Sequence, residues 1–161
     1  MEAAHAVKLT KQQDSQILKW ATFRLGRELY GINVMQVREV LRYVEITPVP
    51  GTPDFVLGII NLRGNVVTVI DARRRLSLET AEVNDHTRIV IVEANNQVIG
   101  ILVDSVAEVV NLKQSEVEST PHIGNDENSK FFQGVYNKNA ELLILLELNA
   151  LISMSMANDF Y

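Results

Sequence analysis

The chain contains no cysteine. Disulfides, thiolate nucleophiles and Cys-ligated metals are excluded, and a reducing compartment suits it. Positive charge is scarce: 15 Lys and Arg against 20 Asp and Glu leave a net charge of -5, the wrong sign for wrapping nucleic acid. No apolar run approaches the roughly 20 residues that cross a bilayer. Residues 1–14 are polar and mixed in charge, without the apolar stretch of a signal peptide. Histidine is limited to His5, His86 and His122, which lack ligand spacing and read as surface residues. No Gly-rich phosphate loop is present; Gly58 and Gly64 stand alone. What is abundant is aliphatic. Apolar residues make up 47% and charged residues 22%, which rules out a disordered chain and supplies a core. The expectation is a cytosolic protein.

Residues 1–15 read as a flexible tail. From Ile17 the pattern alternates with period two, placing Trp20, Thr22 and Arg24 opposite Ala21, Phe23 and Leu25, as in a strand. Gly26-Arg27 makes a turn, and residues 28–33 a second strand. The spacing of Val34, Val37, Val40 and Leu41 suits a short helical turn, with a strand as the other option. Pro48, Pro50 and Pro53 lack the amide a central strand needs and mark a loop. Residues 66–70 form a β-branched strand. Residues 77–85 are a polar connection. Residues 88–93 and 98–103 read as strands around an Asn95-Asn96 turn. Residues 112–129 read as a long polar loop, 131–136 and 142–148 as the last strands, and 150–156 as a short helix. Short strands dominate, so the fold class is all-β, a barrel or sandwich.

The strands repeat. Six of the twelve residues at 30–41 recur identically at 99–110, a shift of 69. A shift of 76 then pairs Phe55 with Phe131, Gly58 with Gly134, Asn61 with Asn137 and Asp71 with Glu147. The seven extra residues are assigned to the loop before Phe131, since surface loops tolerate insertion best. The copies are 17–76 and 87–148. Two units of about 60 residues, each too small to bury much surface alone, would share a core and leave a groove between them.

Chemistry is thin. Asp71 and Asp104 each follow an apolar run and read as strand-ending hydrogen-bond acceptors rather than a catalytic pair. Arg73-Arg74-Arg75 reads as a solvated strand end, or as a contact for an acidic partner. Arg63 is the most telling polar group. Its guanidinium can grip a carboxylate bidentately, and Glu39 is one candidate. A structural salt bridge and a direct partner contact both remain open. The second copy has Asn139 where the first has Arg63.

These same residues carry a resemblance. Phe23-Arg24-Leu25-Gly26, Tyr30-Gly31-Ile32, Val37-Arg38-Glu39-Val40, Asn61-Leu62-Arg63-Gly64, Val69-Ile70-Asp71 and Gly100-Ile101-Leu102-Val103-Asp104 are similar to the CheW family, the coupling adaptors of bacterial chemotaxis. The likeness runs from about 17 to 150, one CheW-like domain over 16–150, with 151–161 a short helix or tail. Thr68 and Ala72 depart from it, where the family usually has proline and leucine. The resemblance implies two five-stranded SH3-like barrels sharing a hydrophobic core, no enzymatic activity and no cofactor. It implies links to chemoreceptor (methyl-accepting protein) cytoplasmic tips and to the regulatory domain of the histidine kinase CheA. Localisation would be cytoplasmic, recruited to membrane-associated receptor arrays without membrane insertion. Val37, Glu39, Gly58 and Arg63 would lie near the receptor groove, Val37 as an apolar contact and Glu39 with Arg63 holding the surface in shape. Met1 and the short tail are read as those of a standalone adaptor. The alternative is a small-molecule or nucleotide-binding regulatory module, which needs a convergent polar pocket the sequence does not display.

Overall fold

The computed structural model describes residues 16–119 and 129–153. The expected N-terminal tail, His5, His122 and residues 154–156 of the expected 150–156 helix lie outside the described residues. Among the described residues there are ten strands: β1 Ile17–Leu25, β2 Glu28–Asn33, β3 Val37–Arg42, β4 Val56–Leu62, β5 Asn65–Asp71, β6 Arg88–Ala94, β7 Gln97–Val103, β8 Ser105–Lys113, β9 Phe132–Lys138 and β10 Glu141–Leu146. Two four-residue helices follow β5 and β10: α1 Ala72–Arg75 and α2 Leu148–Leu151. The segment after β2 divides into a 3-10 turn, Val34–Gln36, whose Met35 N–H donates to Asn33 Oδ1, and then β3. The polar stretch expected as a loop from residue 112 begins within β8.

Strand order is β8-β1-β2-β10-β9 in the first sheet and β3-β6-β7-β5-β4 in the second. The repeat governs the register. The parallel pairs Ile144↔Tyr30 and Thr68↔Ile99 are equivalent under shifts of 76 and 69. The bulges at Val56/Gly58 and at Phe132/Gly134 coincide too. Yet neither copy is a sheet by itself. The first copy gives β1 and β2 to one sheet and β3, β4 and β5 to the other, and the second copy reciprocates. The two units are thus interleaved, where the repeat alone suggested two bodies pressed together.

The sheets are SH3-like but are not closed barrels. Each curls until its edges approach and meet at one isolated bridge, Glu118↔Val135 in the first and Thr47↔Ile59 in the second. These bridges also locate the insertion. Their spacings, 17 and 12 residues, put five of the seven extra residues after Glu118 and two before it.

Three apolar clusters result. Trp20, Leu29, Leu112, Leu143 and Leu145 fill the first sheet's concavity. Ile60, Val67, Val69, Ile89 and Ile91 fill the second. Between the sheets lies a shared core that includes Phe23, Tyr30, Ile32, Ile70, Val90, Val92, Ile101, Phe131 and Leu151. The run Ile89-Val90-Ile91-Val92 is therefore apolar without alternation, because β6 packs on both faces. Thr68 completes the ladder between Ile59 and Ile99, and Ala72 is buried as the first residue of α1, so both family departures are accommodated locally.

Candidate functional site

The site begins at the seam of the second sheet. Edge strand β3 and the β4–β5 turn belong to opposite ends of the strand order, yet Glu39 and Arg63 join them. Arg63 Nη1 donates to Glu39 Oε1 at 3.2 Å, and Nη2 donates to the second carboxylate oxygen. Arg63 sits at φ 51° followed by Gly64 at φ 85°, the left-handed pair that a two-residue hairpin requires. The turn thus projects the guanidinium from the hairpin tip. Its partner holds the Glu39 carboxyl below the usual carboxylate range through that hydrogen bond. Both groups face water, so the pair fixes geometry more than it adds stability.

Glu39→Ala and Arg63→Ala are expected to be non-additive in a double-mutant cycle read by chemical denaturation, with a coupling that salt weakens. The folded carboxyl titrates lower than the unfolded one. The coupling is therefore present above the ordinary glutamate range and disappears as pH falls through the lowered value. Additive losses at neutral pH would show that the two side chains do not act together.

Gly58 occupies the other closure point. It is buried at the β4 bulge with φ 147°. A Cβ there would lie 2.0 Å from the Thr47 carbonyl oxygen and 2.9 Å from Pro48 Cα. Its absent side chain is what allows Thr47 to reach Ile59. Val37 is half-buried and packs on the shared core. Val37 and Val40 share the face whose partners, Val92 and Val90, belong to that core. Val40 is 45% exposed, and Val66, just past the Arg63 turn, is 69% exposed. These two apolar side chains flank the ion pair in sequence and were not singled out from sequence. Val66 opens the β-branched run that reads as a buried strand, and Val40 falls within the apolar spacing of residues 34–41. Their repeat mates Val109 and Leu142 are also exposed, at 54% and 52%. Paired exposure across the repeat is a signal that the alignment alone does not carry.

The duplication extends to the charges. Lys138 Nζ bonds Glu108 Oε1, joining β8 to the end of β9. Glu108 is the repeat mate of Glu39, while Lys138 stands one place before the mate of Arg63. Lysine holds its carboxylate as a point charge where arginine grips it as a fork, so the two seams are alike in position and different in rigidity.

The remaining polar candidates are used internally. Asp71 accepts from the Arg73 N–H at 3.0 Å, capping α1, and burial pushes its carboxyl up. Asp104 accepts from the Gly26 N–H at 2.6 Å and from Arg73 Nε at 2.9 Å. Arg73 holds that carboxyl below its usual range. The three arginines are neither a solvated end nor a free basic cluster. Arg73 pairs with Asp104 and Arg74 with Asp54. Arg75 donates to the carbonyls of Leu151 and Ser153 at 2.8 and 3.0 Å, and lies 4.1 and 4.7 Å from the ring centroids of Phe55 and Phe131. His86 is exposed on a loop.

A family model described as a CheW-like domain matches residues 19–156. The probable chemotaxis protein CheW of Rhizobium etli is 32% identical over 150 residues, covering 93% of this chain and 95% of that protein. The chemotaxis protein CheW of Bacillus subtilis is 33% identical over 134 residues, covering 83% and 86%. Among solved structures, the scaffolding protein TtCheW from Thermoanaerobacter tengcongensis superposes with a TM-score of 0.79 at 34% identity, over 87% of this chain and 95% of that one.

Proposed function

The chain belongs to the family of CheW-like domains, and from that premise we propose that it is a non-enzymatic chemotaxis adaptor coupling chemoreceptor tips to the regulatory domain of the kinase CheA. The observation that carries this reading is the family match across nearly the whole folded region, joined to relatives that bear the names chemotaxis protein CheW and scaffolding protein. Receptors would engage the edge of the second sheet at β3 and the β4–β5 turn, where Val37 and Val40 lie on one face and Glu39 with Arg63 closes the seam. An apolar strip beside a fixed ion pair suits an amphipathic helix, whose apolar face docks while its flanking charges set register. Gly58, being buried, would serve by letting the seam close. The protein would work in the cytoplasm at membrane-associated receptor arrays; no described helix is long and apolar enough to cross a membrane.

Co-sedimentation with receptor-bearing membranes, with and without kinase, tests the proposal. Val40→Glu is expected to lower the sedimented fraction at least about tenfold, the scale of a central interface residue, with an unchanged melting temperature. Val37→Glu is expected to cost both binding and stability, because its side chain packs on the shared core. Wild-type sedimentation by Val40→Glu would remove this face from the receptor contact. A saturable thermal shift with nucleotides, without any sedimentation, would favour the small-molecule module instead.

A further inference from the structure

Arg42 and Arg88 are direct cross-strand partners, the last pair of the β3–β6 ladder. Like charges so placed repel. Five other arginines, Arg24, Arg38, Arg63, Arg73 and Arg74, each meet a carboxylate, and Arg75 is held by carbonyls and rings. Arg42 and Arg88 meet none among the described residues. Arg88 donates instead through Nη1 to the carbonyls of Asp85 and Thr87, both at 2.8 Å, which leaves the rest of its fork unengaged. The two line an open cleft of about 520 Å³ together with Tyr43, Val83, Asn84, Asp85 and Thr87.

One wall of this cleft is ordered in advance. The Asn84 N–H donates to Thr87 Oγ1, the Thr87 N–H to the Asn84 carbonyl, and the His86 N–H to Asn84 Oδ1. The other wall carries Tyr43 and, beside it, exposed Val44. Asp85 is the one acidic residue lining the cleft, and its carboxylate reaches neither guanidinium within ion-pair distance. The cleft therefore joins two unneutralised planar donors to an aromatic and an aliphatic surface.

We propose that this cleft is a docking site for an acidic segment of a partner protein, one carboxylate side chain held between Arg42 and Arg88 and a neighbouring apolar side chain set against Tyr43 and Val83. Charge complementarity identifies the occupant. A carboxylate accepts two parallel N–H bonds from a guanidinium fork and removes the repulsion within the pair. The apolar rim suits a peptide better than a small inorganic anion, which has nothing to place there. The site is distinct from the Glu39–Arg63 seam and stands independently of the receptor reading.

The test is fluorescence anisotropy of the full chain with a labelled peptide of glutamates around a single leucine, and a glutamine version as control. The glutamate peptide is expected to bind, to weaken with added salt, and to lose affinity at least about tenfold on Arg42→Gln. Arg88→Gln should match that loss, and Arg42→Lys should lose less. Far-UV circular dichroism checks the fold of each variant. Arg42→Gln should still co-sediment with receptor membranes, so failure of the cleft and failure of the groove read out separately. Equal binding of the two peptides, or unchanged binding by Arg42→Gln, would overturn the proposal. Pyrophosphate displacing the peptide at concentrations well below the peptide's own affinity would reassign the cleft to phosphate anions.

Discussion

Gly58→Ala is expected to destabilise the protein by at least about 3 kcal/mol, lowering the melting temperature on the order of 10 °C. Two costs combine. The backbone at φ 147° is a conformation that side-chain-bearing residues rarely adopt, and the new methyl would sit 2.0 Å from a carbonyl oxygen. That oxygen accepts the Ile59 N–H at 2.9 Å in the bridge closing the seam, so relief of the clash breaks the bridge. Gly134→Ala provides the internal comparison. It occupies the mate position, but its nearest new contact is the Val117 side chain at 2.5 Å, with the Glu118 oxygen at 2.9 Å, and it lacks the positive φ. A side chain can turn away, so the expected loss is smaller, about 1–2 kcal/mol. Differential scanning calorimetry of the two variants measures the difference. Equal losses would mean that the seam closure of the second sheet is no tighter than that of the first.

The second large effect is expected at Arg75. Its guanidinium sits between Phe55 and Phe131, two repeat mates, and ties the end of α1 to the carbonyls that close α2. It thus stands where the two copies meet. Arg75→Met keeps the aliphatic stem but forfeits the hydrogen bonds and cation–π contacts, with an expected loss of about 2–4 kcal/mol. Lysine should restore little, since a point charge cannot serve several carbonyls and two ring faces together. Urea denaturation of Arg75→Met and Arg75→Lys distinguishes the cases. Full rescue by lysine would show that charge alone matters at this position.

Much of the fold was legible because the repeat encodes geometry. Shifts of 69 and 76 read from letters reappear as identical strand registers and coincident bulges. The Glu39–Arg63 partnership was legible as a candidate because a forked cation beside a glycine turn needs a carboxylate. Other features were hidden for specific reasons. The interleaving of strands follows from pairing between distant segments, and separate or exchanged sheets satisfy the same repeat. β8 was masked by its polar residues and by a bulge opposite Ala21 and Phe23 that breaks its alternation. Three consecutive arginines look solvated on paper; the burial of Arg75 depends on Phe131, 56 positions away. Val40 and Val66 look like core until the curl of the sheet leaves them outside.

The exchange of strands also sets a schedule for the chain's birth. When the first 76 residues have emerged from the ribosome, β1 and β2 lack β8 and β10, and β3 and β5 lack β6 and β7. The first copy at that moment can form the β1–β2 and β4–β5 hairpins, but their outer edges and β3 are unpaired, and its apolar faces lack the second copy's strands to cover them. The second sheet is completed once β7 is made and the first only after β10, by contacts spanning most of the sequence, which is the slow end of folding for a protein this size. A gene duplication joined without exchange would have let each half mature alone. This topology withholds the shared core until β10 and α2 supply Leu146, Leu148 and Leu151.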